Sequence, residues 1–287
     1  MSDKIFTFLN YAFLTFLAII CFYPIVHVAF ASVSNSNLLM QHSGLLYKPL
    51  GFNLNAYQRV FKNPMILGGY MNTMKILVIH LVLSIIMTSI GAYALSRKNV
   101  MLNPLFNLLI AFTMFFSGGM IPFFLNMQQL GLVGTHWGLI IPFMVSTYNL
   151  IIMRTSFASI PESLLEAAWI DGAGHMRTMF QIVMPLSKAV ISVMLLYYGV
   201  AVWNGWFWAS VILRDRSMFP LQVILREILL QNLTQDMTVG SGTGDTEAIA
   251  ESIKYATIMV ATIPVLCIYP FIQKYFQKGV MIGGIKE

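Results

Sequence analysis

Charge is what this chain has least of. Only 10% of its 287 residues are Asp, Glu, Lys or Arg, against roughly a quarter in a soluble domain. With 57% hydrophobic residues and a mean hydropathy of +0.74, that shortage excludes a water-soluble protein and leaves a polytopic membrane protein. Cysteine is almost absent too. Cys21 and Cys267 sit far apart in apolar runs, so they read as structural thiols buried in lipid rather than a disulfide or a metal pair. The five histidines, His27, His42, His80, His136 and His175, show no His-x-x-x-His spacing and no cysteine partner, so no metal site is expected. The glycine-rich run 240–244 lacks the Gly-Lys-Ser/Thr end of a phosphate-binding loop, so nucleotide binding by that route is excluded. Asp245, Glu247 and Glu251 read as a solvated loop rather than a cation site. No acidic residue falls inside an apolar run, which argues against the mid-membrane carboxylates of ion-coupled carriers. The net charge of +6 is scattered rather than gathered into a stripe, so it flanks membrane segments and does not mark a nucleic-acid surface.

What is present is apolar length. Six runs, at about 6–31, 70–95, 104–125, 137–153, 189–213 and 255–275, approach the ~20 residues that a spanning helix needs. The first follows Lys4 and reads as a retained span rather than a secretory signal, with Pro24 placed to kink it. Residues 32–69 are polar and turn-rich and form an outer loop. The chain therefore divides into 1–69, the first span with its loop, and 70–287, a five-helix core. The second run carries Lys75 near one end and His80 deeper in. Arg97-Lys98, Arg154 and the terminal Lys274, Lys278 and Lys286 mark the inside, with both termini cytoplasmic. The third run contains Ser117-Gly118-Gly119, where a helix can bend. The link 126–135 has no Lys or Arg and lies outside. The outer loop 214–252 holds an amphipathic helix from Phe219-Pro220-Leu221, with Leu221, Ile224, Leu225, Ile228 and Leu229 at helical spacing.

The inner segment 155–188 carries the most informative stretch. Residues 161–168 predict a short helix: Pro161 suits a first helical turn, and Glu162 and Glu166 share one face near the positive end of the helix dipole. Ala167 and Ala168 leave a smooth surface, Gly172 stops the helix, and Pro185 breaks the chain before the fifth run. On spacing alone, an ordinary loop helix and a low-relief docking helix both fit.

The longer string decides between them by resemblance. Glu166-Ala167-Ala168, three residues, Gly172, nine residues, Ile182, two residues and Pro185 resemble the "EAA" signature of the membrane permeases of binding-protein-dependent ABC importers. Asp171, Ala173, Phe180 and Leu186 extend the match, and Met184 departs from the usual Leu by a volume-conserving swap. Phe116-Ser117-Gly118-Gly119-Met120-Ile121-Pro122, Trp137-Gly138-Leu139-Ile140-Ile141-Pro142 and Trp203-Asn204-Gly205-Trp206-Phe207 are similar to the carbohydrate-uptake branch. Within it they look like the complex-saccharide, alginate-type subgroup, a distant relative of the smaller maltose permease subunit.

The resemblance implies an all-α membrane protein with six transmembrane helices and the type I importer, MetI-like fold. It implies a non-enzymatic permease subunit of the bacterial inner membrane, importing a saccharide by alternating access: an oligosaccharide, and an acidic one of the alginate or uronate type as one option. The partners implied are a homologous second permease, two ATP-binding cassette subunits that hold the ATP and Mg, and an extracytoplasmic solute-binding protein. By position, the coupling helix covers about 161–172. Glu166, Ala167, Ala168, Asp171 and Gly172 form the docking element, and Pro185 separates it from the fifth span.

For the sugar pathway, Trp203, Asn204 and Trp206, with Tyr148 and Asn149, are the candidate lining, because aromatic faces stack on sugar rings and amides bond hydroxyls. Interfacial aromatic belts and helix packing account for the same residues. Arg214, Arg216 and Arg226 would suit an acidic saccharide, and membrane flanking fits them equally. An import permease for another solute and a stand-alone secondary carrier are the competing functions.

Overall fold

The structure is a computed structural model that describes residues 2–238, 251–268 and 270. The expected helical class holds. Among the described residues, the single pairing of extended segments is an isolated bridge between Ser34 and Phe52. In chain order the helices are α1 (Ser2–Ser32), α2 (Ser36–Gln41), α3 (Asn55–Lys62), α4 (Pro64–Ser96), α5 (Asn103–Phe115) and α6 (Met120–Gln129). Then come α7 (Trp137–Phe143), α8 (Thr147–Ala158), α9 (Glu162–Ile170), α10 (His175–Leu186), α11 (Lys188–Trp203), α12 (Phe207–Ile212), α13 (Leu221–Thr238) and α14 (Glu251–Ile268).

Three of these, α1, α4 and α14, are long and apolar enough to cross a membrane alone. Three pairs reach that length only together, and each is bent: α5 with α6 by 114°, α7 with α8 by 47°, and α10 with α11 by 87°. Six crossings therefore remain available; the bend allowed at Ser117-Gly118-Gly119 in the third run forms, while the breaks inside the fourth and fifth runs are not expected from hydropathy. The third breaks at 116–119, where Ser117-Gly118-Gly119 lets the backbone leave the helix. In the fourth, Ile141–Phe143 tightens into a 3₁₀ turn with Pro142 at its second position. Pro185 cannot donate to the residue four earlier and its ring crowds that turn. The preceding Met179–Val183 is wound as a π turn, which widens the helix there. The fifth is also cut between Trp203 and Phe207.

Two further expectations change. Residues 32–69, expected as a loop, contain α2 and α3, and α4 begins at Pro64 rather than at 70. The asparagines of this segment fix the turns into the helices: Asn35, Asn53 and Asn63 each accept, through Oδ1, the N–H two residues on, at 3.1, 2.7 and 3.0 Å. The link 126–135 is helical as far as Gln129. The expected amphipathic helix at 221 is present as α13, with Leu221, Ile224 and Leu225 buried. Helix α1 continues through Pro24. The glycine-rich 240–244 run and the end of the sixth run past residue 270 lie outside the described residues.

The chain divides into two compact units: Met1–Leu67 with Ile224–Leu266, and Gly68–Val223 with Cys267–Glu287. The first is centred on Ala31, Leu39 and Leu46, with Phe30, Leu50 and Tyr255 against them. The Tyr23 hydroxyl accepts the Leu46 N–H at 2.9 Å, and His27 lies edge-on to Tyr255. The second is built round Ile85, Ala92 and Tyr93 of α4, Leu150, Met153 and Phe157 of α8, and Met194 and Tyr198 of α11. At one end of it, Asn72 Nδ2 donates to Ser217 O (2.8 Å) and Phe219 O (3.1 Å), and Thr73 Oγ1 accepts the Leu221 N–H (2.9 Å). His136 Nε2 donates to Met218 O, and Gly134 N to Ile212 O, both at 2.9 Å.

Gly138 sits inside this knot. A Cβ there would lie 2.5 Å from Leu132 O and 2.8 Å from Ile212 Cγ2, and the first of these is backbone. Gly138→Ala should therefore destabilise the purified protein by about 1–3 kcal/mol. Gly199→Ala, in a helix interior with nothing within 4 Å, should be neutral or gain up to ~1 kcal/mol. Thermal melts of both variants in the same detergent check the contrast.

Candidate functional site

Helix α9 forms where the sequence places it, and its periodicity gives it two faces. Leu165 and Ala168 are buried, and Trp169 is half-buried, the i, i+3, i+4 pattern of a helix lying on a core. Glu162, Glu166 and Ile170 point the other way with Ser163 and Ala167, all exposed. Pro161 stands one position earlier than expected, as the cap residue, and its C=O accepts the Leu164 N–H at 3.2 Å. The end is a Schellman cap: Ala173 N donates to Ala168 O (2.9 Å) and Gly172 N to Trp169 O (3.0 Å), with Gly172 at φ +81°. Ala168 therefore smooths the inner face of the helix, and Ala167 the outer. Asp171 is exposed beside Gly172. Pro185 is not itself the break before α11. The turn comes at Ser187, whose N–H is shared by Val183 O (3.0 Å) and Met184 O (3.1 Å).

At the N-terminal end of α9, Lys98 Nζ lies 3.6 Å from Glu162 Oε2, with side chains 85% and 51% exposed. Beside it, Arg97 Nη2 donates to Phe157 O (2.9 Å) and to Ser96 Oγ (2.8 Å). Burial pulls the Arg97 guanidinium below its ordinary value, and neighbouring Glu162 acts against that. At the other end the Trp169 ring meets His175 edge-on at 5.5 Å, and His175 Nδ1 lies 3.4 Å from the Tyr93 hydroxyl. Sequence reasoning singled out Arg97-Lys98 only as charge flanking and had no signal for Tyr93 or Trp169.

The five candidate pathway residues are not gathered at one place. Tyr148 is exposed and faces Tyr197 at 6.2 Å. That is six residues, about 9 Å of helix rise, before Trp203. Asn149 and Trp203 are both 5% exposed, and Trp203 packs on Tyr70 at 6.2 Å. Asn204, the C-cap of α11, is exposed, and Trp206 stands half-exposed and perpendicular to Phe207. Missed by sequence reasoning is a chain of rings that collects three of the breaks. Phe123 lies 4.6 Å from Trp208 and 5.6 Å from Phe143, and Trp208 lies 5.3 Å from Phe207. Its one sequence signal is that each ring stands within four residues of a Gly- or Pro-marked interruption.

The geometry matches known proteins. The family described as binding-protein-dependent transport system inner membrane component matches residues 80–282. The polygalacturonan/rhamnogalacturonan transport system permease protein YtcP of Bacillus subtilis is 39% identical, over 100% of both chains. The galactooligosaccharides transport system permease protein GanQ of the same organism is 31% identical, over 96% of this chain and 94% of its own. A chain in the crystal structure of a bacterial ABC transporter involved in the import of the acidic polysaccharide alginate superposes with a TM-score of 0.87 at 36% identity, covering 96% of this chain and 98% of that one.

The cap and the ion pair of α9 should differ sharply in weight. Gly172→Ala puts a Cβ in the left-handed region at a cost of about 1–2 kcal/mol, so amide exchange at 171–173 should quicken roughly tenfold. Lys98→Ala removes an exposed pair and should shift stability by less than ~1 kcal/mol. Hydrogen exchange and a melt on the two variants test this.

Proposed function

Because this chain belongs to the family of binding-protein-dependent transport system inner membrane components, we propose that it is the permease subunit of an ATP-driven importer that brings an oligosaccharide of the acidic, uronate type into the cytoplasm. The observation that carries this reading is the shape of α9. It is a nine-residue helix anchored by Leu165 and Ala168 and stopped by Gly172. Its outer face is small at Ala167, acidic at Glu166 and apolar at Leu164 and Ile170, the last 86% exposed. Such a face suits a cleft on an ATPase subunit, where Ile170 and Leu164 would be covered. Glu166, Ala167, Asp171 and Gly172 form the docking edge, Ala168 seats it, and Pro185 with Ser187 sets the angle at which α11 leaves.

The rest of the assembly follows. A second permease completes the pathway, and two ATP-binding cassette subunits bind ATP and Mg on the cytoplasmic side, where α9 and both termini lie. An extracytoplasmic binding protein delivers the sugar. Closure of the ATPase pair displaces α9 and converts one packing of the spans into another. The three bent spans supply joints for that change. Tyr148, Asn204 and Trp206 keep surface that can face the sugar, with Asn149 and Trp203 packed behind them. Exposed Arg214 and the relation to an alginate importer support an acidic substrate.

Reconstituted with these partners in proteoliposomes, the complex should hydrolyse ATP faster with acidic than with neutral oligosaccharides. Glu166→Lys and Ala167→Trp should weaken ATPase retention tenfold or more, about 1.4 kcal/mol each. Asn204→Ala and Trp206→Ala should raise the transport KM roughly three- to tenfold while ATPase binding stays intact. Stimulation by neutral sugars alone would remove the substrate class. Transport without any ATPase subunit would mean a stand-alone carrier.

A further inference from the structure

Docking alone does not move a transport pathway. A displaced helix transmits motion only if it is held to the spans more firmly than it is pulled, and α9 has just nine residues, about 13 Å of length. Its own buried face is small, so what grips its two ends matters.

The end of α4 reaches the C-terminal end of α9 through His175, and it also holds the last turn of α8, from which the chain enters α9. At the C-terminal end, the Trp169 ring lies against His175, and His175 meets the Tyr93 hydroxyl, with the two rings 6.3 Å apart. These three residues come from α9, α10 and α4, so one stack joins three elements. One helical turn after Tyr93, the Arg97 guanidinium lies over the Tyr93 ring, with Cζ 5.2 Å from its centroid. The same guanidinium donates to Phe157 O, in the last turn of α8 just before α9 begins. The turn itself is fixed from behind: Asn103 Nδ2 donates to Leu95 O and Arg97 O, and Arg154 Nε donates to Leu95 O. The 93–97 turn is thus a bracket with one arm on α8 and the other, through His175, on the C-terminal end of α9. The Trp169 Nε1 donor is buried with no acceptor among the described residues. A contact that re-seats between two packings needs an acceptor in only one of them.

Building on the reading of α9 as the ATPase-docking helix, we propose that Tyr93, His175 and Trp169, with Arg97, form a clamp that makes α4 move with α9. They are positioning residues for the coupling of ATP hydrolysis to saccharide movement, without themselves touching ATPase or sugar.

The test uses the whole complex of both permeases, ATPase subunits and binding protein in proteoliposomes. It reads saccharide moved per ATP hydrolysed. His175→Ala removes both contacts of the middle ring and should lower that ratio about five- to tenfold, while the ATPase subunits still co-purify. Tyr93→Phe keeps the ring under Arg97 and removes only the hydroxyl, so the fall should be about two- to threefold. This mild variant preserves the test if His175→Ala folds poorly. His175→Gln, whose amide can meet the Tyr93 hydroxyl, should recover part of the loss. An unchanged ratio in both His175→Ala and Tyr93→Phe overturns the clamp. So does release of the ATPase subunits by these variants, which would place the residues in docking. Failure of the docking reading itself would show separately, as Glu166→Lys leaving ATPase retention untouched.

Discussion

Inside a bilayer no water is available to satisfy backbone N–H and C=O groups, so each must be met from within the protein. An unbroken helix does this by itself. This chain interrupts three of its six candidate crossings, and several polar side chains bond backbone at the interruptions and helix ends. The Tyr198 hydroxyl accepts the Ser146 N–H at 3.0 Å, at the gap between α7 and α8, and pairs with Thr88 at 2.8 Å. Asn103 and Arg154 cover the open carbonyls at the end of α4. Asn72 and Thr73 cover the backbone leading into α13. A chain with 10% charged residues has little polar surplus, and at these places it goes to the backbone.

That constraint also decides what the sequence could reveal. Membrane character followed directly from composition, because apolar length is a property of a window of residues. Helix α9 was legible for a local reason as well: Pro161, the Glu162 and Glu166 pair, and Gly172 are start and stop signals acting within one or two turns. The interruptions were legible only where Ser117-Gly118-Gly119 and Pro185 mark them; those at 144–146 and 204–206 were not, because hydropathy averages over a span and is blind to φ and ψ. Proline alone does not discriminate. Pro24 lies inside an unbroken α1, whereas Pro142 and Pro185 stand beside breaks. The difference lies in what neighbouring chain can take up the freed groups, which is tertiary.

The same holds for the sites. Phe123, Phe143 and Trp208 are local nonentities, brought into ring contact by folding across as many as 85 positions. Tyr93 and His175 are 82 positions apart. The residues chosen from sequence as sugar lining were picked for chemistry alone, and the fold then divides them: Asn149 and Trp203 become packing, while Asn204 and Tyr148 keep a surface. Residue type sets what a side chain can do, and topology sets whether it is available to do it.

Helix α4 shows how these levels combine. In lipid, apolar contact gives little reason for helices to associate, so interior faces carry small and polar residues. Thr73, His80, Ser84 and Thr88 are each no more than 2% exposed, and their spacing of seven, four and four places them on one face. Met71, Val78 and Val82 face outward. The helix is thus inverted, with its polar side in and its apolar side out. Along this inner stripe it meets the backbone before α13 through Thr73, the ring of Tyr198 through His80 at 5.8 Å, and the Tyr198 hydroxyl through Thr88. Further along, Tyr93 joins it to α10 and Arg97 to α8. The directional contacts of the stripe sit toward its two ends: between Thr73 and Thr88, His80 Nδ1 and Ser84 Oγ are buried with no hydrogen-bond partner among the described residues. A polar atom left unpaired in a low-dielectric interior costs free energy, so the middle of α4 is held by ring and apolar packing and its ends by hydrogen bonds.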